Sequence, residues 1–80
     1  MKVNILGANK TEIELGNRNA VLFSYDTPVV YYNSNQAVYF RTTTKHSRTT
    51  SKHINSYIPS EAVVKEATQE VINKLVERII

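Results

Sequence analysis

The sequence predicts an α+β domain: a small antiparallel β-sheet of about four to five strands, a short helix, and a carboxy-terminal amphipathic helix packed on the sheet. Three observations predict it. Residues 1–42 alternate short apolar runs with turn residues, residues 60–80 switch to a helical period, and residues 43–58 between them form a basic Ser/Thr-rich loop leading into the short helix. With 80 residues the chain is read as one domain, 1–80, with a modest core.

In order, Val3 to Leu6 and Thr11 to Leu15 read as a hairpin turning at Gly7-Ala8-Asn9, because Ile13 and Leu15 alternate with polar neighbours and Gly/Asn suits the turn. Ala20 to Tyr25 (AVLFSY) is the next strand. Asp26-Thr27-Pro28 is read as a turn, since proline fixes its own φ and pushes its predecessor to extended geometry. VVYY from Val29 to Tyr32 and QAVYFRT from Gln36 to Thr42 complete an antiparallel meander, both rich in the types that fit a pleated surface. Strand alternation then predicts that one of Tyr31 and Tyr32, and one of Tyr39 and Phe40, faces the core while the other faces solvent.

The segment SEAVVKEATQEVINKLVERII reads as one helix from Ser60 to Ile80. Val64, Ala67, Val71, Leu75 and Ile79 recur at three- and four-residue steps, Ser60 sits at the N-cap position after Pro59, Glu61 complements the helix start and Arg78 its end. Val63, Ile72, Val76 and Ile80 widen the apolar stripe, which raises a possible homodimer through this helix. Before it, Thr49 or Thr50 is expected to cap a short helix from Ser51 to about Tyr57. That helix would turn Ile54, Tyr57 and Ile58 to the sheet and Lys52 and His53 away from it.

Charge is segregated along the chain. No acidic residue lies between Asp26 and Glu61, so Arg41, Lys45, Arg48 and Lys52 give the middle segment four positive charges, with His46 and His53 in addition. Seven of the ten residues from Thr42 to Ser51 are Ser or Thr. A helix start presents unpaired amides and a partial positive charge, Arg offers a planar fork, Lys a compact charge, and hydroxyls donate at short range. Arg41, Lys45, Arg48, Thr49, Thr50, Ser51, Lys52 and His53 are therefore the candidate nucleic-acid or anion-binding residues. An outward-facing aromatic of the strands would stack a base. The bland alternative is that the hydroxyls satisfy turn amides and caps while the cations keep a loop soluble.

The chain has no cysteine, and its glycines are Gly7 and Gly16, so neither a thiolate metal site nor a glycine-rich phosphate loop can be built. His46 and His53 lack the further ligands a metal needs. The reading leans against an enzyme and assigns no cofactor and no metal. The amino terminus is unlike a signal peptide, no run reaches the about 20 apolar residues of a spanning helix, and the expected location is cytoplasmic, with no membrane partner.

SYDTPV (Ser24 to Val29) and SRTTSKHIN (Ser47 to Asn55) resemble the paired motifs of small uncharacterised proteins of archaea, their viruses and plasmids, and bacteriophages, in which a SYxTPVA-like segment precedes a strand pair and a SxTTSKHIN-like segment. Val30 departs from the alanine common in that pattern. The resemblance implies an accessory protein of a virus or mobile element, acting in the host cytoplasm, and attaches no activity. Two functions are carried forward: non-catalytic nucleic-acid or phosphate binding, and a protein-interaction module that grips an acidic host or viral protein or forms a structural homodimer.

Overall fold

A computed structural model describes residues 1–79. The order is β1 (Lys2–Gly7), β2 (Lys10–Glu14), β3 (Ala20–Ser24), β4 (Thr27–Asn33), β5 (Val38–Thr42), α1 (Arg48–Tyr57), β6 (Val63–Ala67) and α2 (Gln69–Ile79). The strands form one sheet in sequence order, β1 to β6. Pairs β1 to β5 are antiparallel, as the meander predicts, but β5 and β6 are parallel, with Tyr39 opposite Val64 and Arg41 opposite Glu66. The fold class is therefore α+β with six strands in a mixed sheet, not four or five in an antiparallel one.

The sixth strand corrects the reading of residues 60–80 as one helix. Residues 60–62 form a turn, Val63–Ala67 add to the open edge of β5, and Thr68 rather than Ser60 caps α2, its Oγ1 accepting the Val71 amide at 3.2 Å. VVKEA carries two adjacent β-branched residues that fit an extended backbone, and the ladder on β5 outweighs a helical period that continues by coincidence into α2. Starting at Gln69 also rotates the helix. Ile72 and Val76 are the buried residues and Val71 is 46% exposed, the reverse of the expected emphasis. Ile80 lies outside the described residues.

Because β5, α1 and β6 form a crossover, the two helices cover opposite faces of the sheet. On one face α2 packs Ile72 and Val76 against Leu15, Val21 and Tyr31, flanked by Ile13, Phe23 and Phe40. On the other, α1 packs Ile54 against Leu22, Val29 and Val30, flanked by Tyr39, Tyr57 and Ile58. Covering both faces changes the fate of the aromatics. Tyr31 is buried, but Tyr32, Tyr39 and Phe40 are all half-buried, so no member of either adjacent pair is an exposed platform. Tyr31 meets Phe40 across the strands and Tyr32 meets Tyr39, with ring centroids 6.5 and 4.5 Å apart. At the uncovered end of the sheet, the edge strand β1 leaves Val3 and Ile5 exposed.

The β3–β4 turn is Tyr25-Asp26, not Asp26-Thr27-Pro28. Ser24 pairs with Thr27, Phe23 with Pro28 and Leu22 with Val30, leaving Val29 as the extra residue of a bulge. A proline beside a bulge can sit in a strand, since a missing ladder donor costs little there.

Tyr57 links α1 to the far side of the sheet by donating its hydroxyl to Glu12 on β2, whose other oxygen accepts Asn4 Nδ2 of β1 at 3.0 Å. Burial first, and then this hydrogen bond to a carboxylate, push the Tyr57 phenol well above its ordinary 10.0. A phenol whose pKa rises on folding stabilises fully below pH 10 and loses that contribution as pH climbs above it. Urea melts should therefore show resistance falling above about pH 10, and Tyr57→Phe should flatten that fall. The helix boundary makes a second expectation: Thr68→Ala should cost about 1 kcal/mol in thermal or urea melts, and Ser60→Ala should cost nothing resolvable.

Candidate anion site at the carboxyl ends of the parallel strands

The site begins with chain direction. β5 leads through residues 43–47 into α1 on one face, and β6 leads through Thr68 into α2 on the other. At such a divergence the carboxyl ends of the strands and the amino ends of both helices share one end of the sheet and leave a crevice between the departing connections. Open α/β sheets take ligands at this place.

The N-cap of α1 is Ser47, not Thr49 or Thr50, and the helix begins at Arg48 rather than Ser51. Ser47 Oγ accepts the Thr50 amide at 3.1 Å and donates to Thr50 Oγ1 at 3.1 Å. Thr50 thus falls at the third helical position and is buried, and its hydroxyl meets Ser24 Oγ at 2.9 Å. Ser24 Oγ also meets His53 Nδ1 at 2.8 Å. The side chain of His53 therefore turns to β3, half-buried, instead of away from the sheet. Ser47, Thr50, Ser24 and His53 form a continuous chain of hydrogen bonds, and it joins the two motifs SYDTPV and SRTTSKHIN in space: Ser24 lies 26 residues from Thr50 and 29 from His53. Reading only residues 41–54 misses Ser24, and within that stretch it passes over Ser47 as the cap. The available signal was the pairing of SYDTPV with SRTTSKHIN, motifs that open on Ser24 and Ser47.

Around this anchored helix start the cations converge. Arg41, at the end of β5 and half-buried, lines a crevice of about 360 Å³ with Thr42, Thr44, Lys45, His46 and Ser51. Lys45, His46, Arg48 and Ser51 line the adjoining hollow. One acidic side chain, Glu66, reaches the crevice, and it makes no ion pair with Arg41; among the described residues the sole ion pair is Lys74 with Glu70. Of the eight candidate residues, the structure brings Arg41, Lys45, Arg48 and Ser51 together. Thr49 and Lys52 are exposed on α1 and line neither hollow, Thr50 is engaged inward, and His53 is held by Ser24.

Gln69, the first residue of α2, anchors residues that border the crevice. Its Oε1 accepts Thr42 Oγ1 at 2.9 Å and lies 2.9 Å from His46 Nε2, and its Nε2 donates to the Pro28 carbonyl at 2.6 Å. The loop that leads from β5 into α1 is thus tied through Gln69 to α2 and β4. Among the described residues no three His, Cys, Asp or Glu side chains gather as metal ligands, and no helix is long and apolar enough to cross a membrane.

A family model described as Family of unknown function (DUF8033) matches residues 1–74, and the chain belongs to that family. No curated protein and no solved structure matches it.

The buried hydroxyl chain makes a direct expectation. Ser24→Ala leaves Thr50 Oγ1 with one partner fewer and His53 Nδ1 unpartnered in a half-buried setting, so it should destabilise the fold by about 1–3 kcal/mol in urea melts. The exposed Thr49→Ala should stay within about 0.5 kcal/mol of the parent.

Proposed function

We propose that this protein binds nucleic acid without catalysis, holding backbone phosphate at the crevice where β5 and β6 end. One observation carries the reading. Arg41, Lys45 and Arg48 surround the start of α1 with no ion pair among the described residues to neutralise them, beside hydroxyls of Thr44 and Ser51. Cations that line a crevice without forming an ion pair, even with Glu66 at its edge, remain available to an external anion. Arg suits the paired oxygens of a phosphodiester and Lys adds a point charge. The site residues proposed are Arg41, Lys45, Arg48 and Ser51, with the charge of Lys52 and the hydroxyl of Thr49 as a peripheral polar surface on α1.

The likeness of the two motifs to those of archaeal, viral and phage proteins supports placing the protein as an accessory factor of a virus or mobile element in a host cytoplasm. An acidic protein partner is the competing occupant of the same cations, and it predicts a different outcome in the binding experiment.

Binding of labelled oligonucleotides, followed by anisotropy across a salt series, tests the proposal. Affinity should fall steeply with salt, and Arg41→Ala with Arg48→Ala should flatten the log–log slope by roughly 0.7–0.9 for each phosphate that is no longer neutralised. Absence of binding at low salt to single- and double-stranded DNA and RNA sinks the reading, and a nuclease-resistant complex with an acidic protein would replace it.

A further inference from the structure

The chain has seven aromatic residues, Phe23, Tyr25, Tyr31, Tyr32, Tyr39, Phe40 and Tyr57, and six of them are buried or half-buried. Tyr25 alone is exposed, at 52%. It stands in the turn between β3 and β4, at the end of the sheet where α1 begins, and its backbone takes φ 59°. That left-handed geometry disfavours an aromatic side chain by about 1–2 kcal/mol, and glycine or asparagine would occupy it more readily. The position is nonetheless firmly held. The Tyr25 amide donates to the Asn9 carbonyl at 2.8 Å, the neighbouring Ser24 is tied to α1, and the ring lies 6.3 Å from the His53 ring at a tilt of 44°.

Tyr25 also borders a hollow of about 330 Å³ lined by Ser24, Thr27, Val29, His46, Ser47 and Thr50. His46 and Ser47 belong equally to the cationic hollow around Arg48. The aromatic surface and the phosphate-binding surface are therefore contiguous, joined through the loop that enters α1.

We infer that Tyr25 is a base-stacking platform and that the nucleic acid bound at this site is single-stranded. The inference rests on the phosphate-binding reading and adds its substrate class. A paired base keeps both faces inside the duplex stack and offers none to a single exposed ring. An unpaired base exposes a face, and stacking on a tyrosine tolerates any sequence. With backbone phosphate between Arg48 and Lys45, a neighbouring base turns toward the hollow bordered by Tyr25 and His46.

The test compares labelled 12-nucleotide strands, one of ordinary DNA, one abasic at every position, and a blunt duplex. The parent should bind the ordinary strand more tightly than the duplex. Tyr25→Ala should weaken it by at least about tenfold while leaving the abasic strand unchanged, and Tyr25→Phe should retain parental affinity. Equal weakening on ordinary and abasic strands, no weakening on either, or a duplex bound as tightly as the single strand overturns the stacking inference. If the abasic strand itself shows no salt-dependent binding, the phosphate reading fails as well, so the two failures are distinguishable. Thermal melts of each variant check folding, and Tyr25→Phe, which keeps the ring, controls for loss of the hydroxyl alone.

Discussion

The parallel pairing of β6 with β5 is the constraint on which the rest of the structure depends. An antiparallel β6 would let the chain return by a short turn, whereas a parallel one requires a crossover, and α1 is that crossover. Once α1 covers one face through Ile54, Tyr57 and Ile58, the chain leaves β6 into a helix that covers the other face through Ile72 and Val76. Both helices then start at the same end of the sheet. The cationic crevice is a consequence of that topology, because Arg41 at the end of β5, Lys45 in the loop and Arg48 at the start of α1 can meet only where strand gives way to helix.

The same topology explains how so polar a segment is made rigid. A loop of threonines between a strand and a helix would ordinarily solvate its own backbone, yet here Thr42 reaches Gln69, His46 reaches Gln69, Ser47 caps α1 and Thr50 turns inward to Ser24. Among the described residues no buried side-chain nitrogen or oxygen lacks a partner. Buried hydroxyls that are fully satisfied fix orientation, since each has few alternative partners in a low-dielectric interior. The hydroxyls of the basic stretch therefore divide by depth: Thr50 serves the fold, Thr44 and Ser51 face the crevice, and Thr49 is on the surface.

Most of the strands were legible in the sequence because residues 1–42 keep a two-residue alternation interrupted by turn residues, and pairing in sequence order needs no distant partner. β6 was illegible for a physical reason. An edge strand whose residues are mostly exposed has no apolar alternation to read, and Val64, Ala67 and Val71 happen to continue a helical spacing across the break at Thr68. The cations of the site were legible from the acid-free segment. Their geometry was not, because the cap is Ser47 rather than Thr49 or Thr50, which places Thr50 inside the helix and engaged with Ser24 instead of at an open helix end. Ser24 and Tyr25 stayed hidden because their partners lie on another element and are not readable from local period.

Ser24 gives the two halves of the site their common frame. It is the last residue of β3, almost wholly buried, and its one hydroxyl is shared between Thr50 and His53 on successive turns of α1. Two contacts one turn apart fix both the distance of the helix from the strand and its rotation about its own axis, which a single contact would leave open. Rotation decides where Arg48 and Ser51 point, since both lie on the turns that Thr50 and His53 anchor. The next residue along the chain is Tyr25, whose ring can leave the strand only in the direction that the end of β3 sets. A strained backbone at Tyr25 is sustained because its neighbours are over-determined: the amide is held by Asn9 and the preceding side chain by α1. One buried hydroxyl thus positions a cationic surface on the helix and an aromatic surface on the turn relative to each other, though the two are about twenty residues apart in sequence.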